Sequence, residues 1–188
     1  MSQDPHDHRE QSGTDHTWSG NLKLTSSAFS DGGEIPRECG YKNGNKVPPL
    51  ALTGIPEMTE SLVLIMDDPD AMGPAGKVWL HWLVWDIFRN EPEQEDEMDS
   101  FPGNNCIEGE SDFYGEVGYG GPAPPDKRHT YVFKVYALDC TLGGQAEDLD
   151  TTMPEFVDGN YPVTKADVEK AMEGHIIEQT TLTGTYAP

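Results

Sequence analysis

Three long apolar runs constrain the fold of this chain more than any other feature of its sequence. Residues 61–66 read SLVLIM, residues 78–88 read VWLHWLVWDIF, and residues 130–139 read TYVFKVYALD. Their lengths, bounding turns and β-branched or aromatic residues favour β-strands over helices. In the second run the odd positions, including Trp79 and His81, and the even positions are both largely apolar. We therefore expect this strand to be central in its sheet, with both faces covered.

One helix and one further strand are expected near the C-terminus. The segment TKAD at 164–167 resembles a capping box in which Asp replaces the usual Glu. The pattern predicts a helix from residue 164 to about residue 173, with Gly174 as its C-cap. Residues 180–186 are the predicted last strand.

Other segments are predicted to be loops. Residues 48–56 are punctuated by proline and glycine, and residues 91–99 (EPEQEDEMD) are acidic and polar. Residues 119–126 (YGGPAPPD) cannot form a central strand, because three prolines would interrupt the hydrogen-bond ladder. The balance is therefore mainly β, with one convincing helix.

The charge of the chain limits its partners. Asp and Glu number 34 against 12 Lys and Arg, for a net charge of −22. Such a surface repels nucleic acid and anionic membranes, so neither is expected as a partner. The self-repulsion is tolerable where salt shortens the Debye length to about 3 Å, near 1 M, and we interpret the chain as a halophile's protein. Disorder is the rival interpretation, but the apolar residues cluster into strand-like runs.

Length and cysteine content indicate a cytoplasmic protein with one folded unit. The 188 residues suit a domain over 21–188 preceded by a flexible acidic arm over 1–20. The arm lacks an apolar signal-peptide core, and no apolar run approaches the roughly 20 residues of a membrane span. The three cysteines, Cys39, Cys106 and Cys140, follow no disulfide or zinc pattern and are interpreted as reduced thiols.

Polar residues at the ends of the predicted strands are the candidates for chemistry. Asp68 and Asp70 follow the first strand, His81 lies within the second, and His129 begins the third. A histidine paired with a carboxylate has a fixed tautomer and a raised pKa, and its other N–H can donate to an anion. Free N–H groups of the loop at 119–125 would add donors.

Plainer roles stay open for each of these residues. The two aspartates suit ordinary turn capping, and His81 suits a core histidine bonded to a backbone carbonyl. The tryptophans of the second strand are expected in the core. His175, after Gly174, is expected to interact with the helix dipole.

Four motifs in order resemble the phosphatidylethanolamine-binding protein family, which includes the Raf kinase inhibitor proteins and microbial and archaeal relatives. They are D-P-D-A at 68–71, W-L-H-W at 79–82, G-P-A-P-P at 121–125 and H-T-Y at 129–131. Residues 171–178 and 182–186 resemble the microbial branch. The resemblance covers about residues 20–188 and implies an antiparallel fold of two packed sheets with one or two short helices near the C-terminus.

The resemblance also implies an anion site. Its ligand-binding residues are, by position, Asp68, Asp70, His81, Ala123, Pro124, His129 and Tyr131. The implied ligand resembles phosphate, a carboxylate or a phospholipid headgroup, with no cofactor and no metal. Met72 and Thr130 depart from the family's proline and arginine, and the second departure removes a cation beside the site. The segment at 112–115 resembles the family's N-D-F-G segment, with Tyr114 inserted.

The leading hypothesis is therefore a small-anion or phosphorylated-headgroup binding protein, regulatory by resemblance, without a demonstrable enzymatic activity. A hydrolase using the same Asp and His residues is an alternative, although no G-x-S-x-G nucleophile motif is present. A protein-interaction inhibitor module is another. A metal site would use His81, His129 and a carboxylate, without support from spacing. The oligomeric state, including a homodimer, is left open.

Overall fold

The computed structural model describes residues 21–88, 97–113, 116–143 and 164–188. Within these ranges the strands and α-helices are β1 (Lys23–Ser26), β2 (Gly33–Glu34), β3 (Leu50–Thr53), β4 (Ser61–Asp68), α1 (Met72–Ala75), β5 (Trp79–Ile87), β6 (Glu97–Phe101), β7 (Ile107–Glu108), β8 (His129–Leu138), α2 (Lys165–Ala171) and β9 (Ile176–Tyr186). The predicted arm over 1–20 lies outside the described residues.

The strands form two sheets. The larger sheet has the order β2-β9-β8-β4-β5-β7, and the smaller has the order β1-β3-β6. Neighbouring strands are antiparallel except β2 and β9, which pair in parallel. The prediction of a mainly β, two-sheet fold with few short helices is confirmed. One of the two α-helices, α1, follows β4 instead of lying near the C-terminus.

The apolar runs form the centre of the larger sheet. All eight residues of β4 are buried. Leu62, Leu64 and Met66 join the core between the sheets, whereas Val63 and Ile65 join a second core on the opposite face. That second core includes Val168 of α2 and is separate from the first. Both faces of the central strands are thus covered, as the sequence predicts.

The predicted limits of loops and strands differ from the structure at β3, β6 and β9. Strand β3 lies inside the predicted loop at 48–56, and β6 begins within the predicted loop at 91–99. Strand β9 begins at Ile176, four residues before the predicted start at 180. These segments are extended because partner strands supply their hydrogen bonds, and a local pattern does not encode partners.

The C-terminal helix begins as the sequence predicts and ends earlier. The Thr164 side chain accepts from the Asp167 N–H, and the Asp167 carboxylate accepts from the Thr164 N–H, which completes a capping box. The helix ends at Ala171 with Met172 as its C-cap. Gly174, at φ +85°, lies in the turn that follows, where a left-handed residue is needed. None of the helices in the described residues has the length and apolar character needed to cross a membrane.

Candidate functional site

The turn after β4 is organised by Asp68. Its Oδ1 accepts from the Ala71 N–H at 3.2 Å, which caps the helical turn that leads into α1. Pro69 at the first position of that turn has the fixed φ that the turn requires. The capping role considered for this aspartate is therefore real. Its second oxygen remains for another partner.

His81 is placed by a β-bulge in β5. Met66 of β4 pairs with Trp82 while Asp67 pairs with Leu80, so His81 is the additional residue in the ladder. Bulges re-aim side chains, and this one breaks the simple odd–even alternation expected for the strand. The His81 ring contacts the Tyr131 ring on β8, with the ring centroids 5.1 Å apart.

The hydrogen bond of the His81 ring goes to the backbone. Nδ1 donates to the carbonyl oxygen of Gly120 at 2.6 Å. The expectation of a carboxylate partner is wrong, and the carbonyl-bonded alternative is the observed one. Burial lowers the pKa of His81, although the Gly120 carbonyl and the charge of Asp68 oppose that shift. The ring is therefore neutral near pH 7, and Nε2 is the nitrogen left to meet a ligand.

His129 is the histidine paired with carboxylates. Its Nδ1 lies 2.6 Å from Oδ2 of Asp68, and its Nε2 lies 2.8 Å from Oδ1 of Asp126. Burial disfavours the imidazolium, but the hydrogen bonds that the ring donates to both aspartates outweigh burial and raise the pKa of His129. Because both ring nitrogens face acceptors, the charged ring with two N–H donors fits this position best. Neither nitrogen has a lone pair free for a metal.

The Gly/Pro loop is fixed by its neighbours. Gly120 N–H donates to the His81 carbonyl at 2.8 Å, and Gly121 N–H donates to the Asn45 side chain at 2.7 Å. The carbonyl of Pro122 accepts from Tyr41 N–H at 2.9 Å. These two glycine N–H groups are therefore not free donors for an anion, contrary to the sequence-based expectation. Their function is to hold the loop against His81.

These elements enclose a cavity of about 190 Å³ at the end of the larger sheet. The residues that line it are Asp68, Ala71, Pro74, Ala75, Trp79, His81, Phe113, Ala123, Pro125 and His129. Two imidazoles and one carboxylate thus meet a wall that is otherwise apolar. The volume suits a group of a few heavy atoms, since a water molecule in the liquid takes about 30 Å³.

Three of the predicted site residues do not line the cavity. Asp70 accepts from the Thr130 N–H at 2.8 Å and so ties the turn to β8. Pro124 is buried, and its neighbour Pro125 takes the position on the wall. Tyr131 is fully buried next to His81. Burial, followed by the charge of Asp68, raises the pKa of Tyr131.

Sequence reasoning missed three contributors. Asp126 pairs with His129, although the sequence offers only its position three residues earlier as a signal. Trp79 was assigned to the core, yet it lies at the start of β5 and lines the cavity. Phe113 lines the cavity as well, with Tyr41 stacked on it at 4.1 Å between centroids. Residues 114 and 115 of the N-D-F-G-like segment lie outside the described residues.

Thr130 does not line the cavity. Exposure alternates along β8, with His129 and Tyr131 buried and Thr130 between them half-buried. Side chains of successive strand residues point to opposite faces, so Thr130 lies on the other face of the sheet. The departure from the family's arginine therefore does not remove a cation from the cavity.

The comparisons with known proteins agree with this fold. The profile of the phosphatidylethanolamine-binding protein family matches residues 25–187. The UPF0098 protein of Methanothermobacter thermautotrophicus is 36% identical over 168 residues, which cover 88% of this chain and 98% of that relative. A UPF0098 protein of Pyrococcus abyssi is 37% identical over 170 residues, which cover 86% of this chain and 83% of that relative. The chain belongs to the phosphatidylethanolamine-binding protein family.

Two crystal structures have the same architecture. The phosphatidylethanolamine-binding protein homologue CT736 of Chlamydia trachomatis superposes with a TM-score of 0.71 and is 33% identical, covering 89% of this chain and 98% of its own. Escherichia coli YbcL, described as a member of the mammalian family, gives a TM-score of 0.63 at 27% identity, with 88% and 97% coverage. The predicted family and fold are confirmed by these matches.

Proposed function

We propose that this protein binds a small anion, of the phosphate or carboxylate type, in the cavity between His81 and His129. One observation carries the proposal: two buried imidazoles line the same cavity, and the hydrogen bond from the His81 ring to Gly120 is made by Nδ1 and not by Nε2. A ligand oxygen is the natural partner for that nitrogen. A phosphorylated headgroup presents the same oxygen chemistry as free phosphate.

Binding of an anion at Nε2 requires a proton. Because Nδ1 donates to Gly120, a neutral ring has its lone pair on Nε2 and repels an anionic oxygen. Protonation turns Nε2 into a donor, and a bound anion then favours the charged ring. Affinity should therefore rise as pH falls through the range where His81 takes up its proton.

The carboxylate in the cavity selects the form of the anion. His129 lies 2.6 Å from Asp68 and offsets its negative charge. The remaining acceptor capacity of Asp68 suits a ligand that carries its own proton, such as a phosphate monoanion. An anion with no proton on the oxygen that faces Asp68 would meet an acceptor with no proton between them, which is unfavourable.

The same geometry gives less support to hydrolysis. Both nitrogens of His129 are engaged by aspartates, so this ring has no free lone pair to accept a proton. His81 could accept a proton at Nε2, but no serine, threonine or cysteine is among the residues lining the cavity. A role as a protein-interaction inhibitor stays a prediction.

Isothermal titration calorimetry with phosphate, phosphoethanolamine and acetate tests the proposal. His81→Ala should abolish phosphate binding, because it removes Nε2, the proposed donor to the ligand. Ala123→Leu should weaken phosphate binding, because the three added carbon atoms take up part of a cavity of about 190 Å³ without removing a polar group. Comparing the affinities for phosphate and for phosphoethanolamine shows whether the site prefers the free anion or a phosphorylated headgroup.

The matched control is His175→Ala, which removes a half-exposed histidine that does not line the cavity. It should leave phosphate affinity unchanged. Phosphate affinity that survives both His81→Ala and Ala123→Leu would contradict the proposed site.

A further inference from the structure

A second group of chemically active side chains lies where β8 ends and β9 begins. Asp139, Cys140 and His175 each offer one donor atom, and the three atoms lie within 4.8 Å of one another. The His175 Nδ1 is 2.8 Å from Oδ1 of Asp139. From the sequence alone, His175 is expected to interact with a helix dipole and Cys140 to be a reduced thiol. The fold instead brings them together across 35 positions of sequence.

The backbone holds these residues in place. Asp139 N–H donates to the His175 carbonyl at 3.1 Å, and His175 N–H donates to the Met172 carbonyl at 3.0 Å. On the other side, the Ser61 hydroxyl donates to the Cys140 carbonyl at 2.6 Å. The three donors are therefore mounted on segments that are already fixed, so a ligand would not have to order them.

The surroundings favour a cation. The carboxyl groups of Asp139, Asp86 and Glu60 are the charged groups that act on the Cys140 thiol, and all are acidic. The Asp139 and His175 side chains are 52% and 36% exposed, whereas Cys140 is 5% exposed. The cluster thus has a soft sulfur donor at its base and an open side for entry.

We propose that Asp139, Cys140 and His175 form a binding site for a single zinc-like transition-metal ion. One sulfur, one nitrogen and one oxygen donor suit Zn²⁺, whereas Mg²⁺ and Ca²⁺ require oxygen ligands. With bonds of about 2.0–2.3 Å, donors around tetrahedral zinc are roughly 3.3–3.7 Å apart. The widest pair in the cluster therefore needs to close by about 1 Å at most, and the His175 Nδ1 and Asp139 Oδ1 atoms, 2.8 Å apart, need to separate by about 0.5 Å. Three protein ligands leave the fourth position to water. The ion would clamp the end of β8 to the start of β9.

Cobalt titration of the full-length, reduced protein tests this site, because Co²⁺ bound by a thiolate has an intense sulfur-to-metal absorption. We expect one Co²⁺ per chain with this absorption, and Zn²⁺ should displace it. The three histidines in residues 1–20 cannot produce the signal, because that segment contains no cysteine.

Substitutions of the proposed ligands test which side chains bind the metal. Cys140→Ser should abolish the sulfur absorption, and His175→Gln should weaken metal affinity by about tenfold or more. His175→Gln changes a half-exposed side chain, so its folding is not at risk even if Cys140→Ser destabilises the protein. The controls Cys39→Ser and Cys106→Ser should leave the absorption intact. Absence of the absorption in excess Co²⁺, or absorption that His175→Gln leaves unchanged, would overturn the site.

Discussion

Replacing Asp68 by Asn tests the buried ion pair that shapes the cavity. Asp68 is 3% exposed and His129 is 1% exposed, with 2.6 Å between their paired atoms. Breaking a buried pair by removing one charge costs about 3–5 kcal/mol. The amide oxygen of Asn keeps one neutral hydrogen bond, worth about 1 kcal/mol. We therefore expect the free energy of unfolding to fall by about 2–4 kcal/mol.

The fall in the free energy of unfolding caused by Asp68→Asn should depend on pH in a defined direction. The fold raises the pKa of His129, so the stability from its protonation is fully present below the unfolded-state pKa, about 6.5. That contribution is lost as pH rises through the folded-state pKa. The difference between wild type and Asp68→Asn should be widest near pH 6 and should narrow toward pH 9, measured by urea denaturation.

Asp126→Asn is the matched control, since Asp126 contacts the other nitrogen of the same ring. Its side chain is 47% exposed, so solvent screens the pair and the loss should be smaller. The reasoning would be refuted if both variants lost the same free energy of unfolding, or if the loss in Asp68→Asn did not change with pH.

Two further predictions concern the whole chain and the loop. The melting temperature should rise between about 0.1 and 2 M KCl, because salt screens the net charge of −22; a flat or falling melting temperature would contradict this. Gly121→Ala should destabilise the protein by more than about 2 kcal/mol, because the added Cβ would lie 2.1 Å from the backbone oxygen of Cys39. Gly73→Ala in α1, where the added atom meets nothing within 4 Å, is its control and should be neutral or stabilising in thermal denaturation.

The central strands could be predicted from sequence because their signal is local. Strands β4, β5 and β8 are long, apolar and bounded by turns, and their observed ends differ from the ends of the predicted runs by two residues at most. The capping box of α2 is likewise a contact between residues three apart. Strands β3 and β6 are short, and they are extended because partner strands supply their hydrogen bonds: β6 pairs with β3, and β3 pairs with both β1 and β6.

The sequence predicts which residues form the candidate site better than it predicts their hydrogen-bond partners. Family motifs pointed to Asp68, His81 and His129, and all three line the cavity. Which partner each ring has depends on the bulge at His81 and on the path of the loop to Asp126. Both arise from tertiary register, which no pattern within a single segment encodes.

The His81 ring is the group whose titration tests the central claim most directly. Ring nitrogen NMR of the protein, with and without saturating phosphate, would report the pKa of His81 in each state. Burial lowers that pKa in the free protein, and a phosphate oxygen at Nε2 should raise it. Each unit of increase corresponds to about tenfold tighter phosphate binding by the protonated ring. A rise in the pKa of His81, with affinity falling as pH increases, is the predicted result. An unchanged pKa of His81 in the presence of bound phosphate would contradict the account.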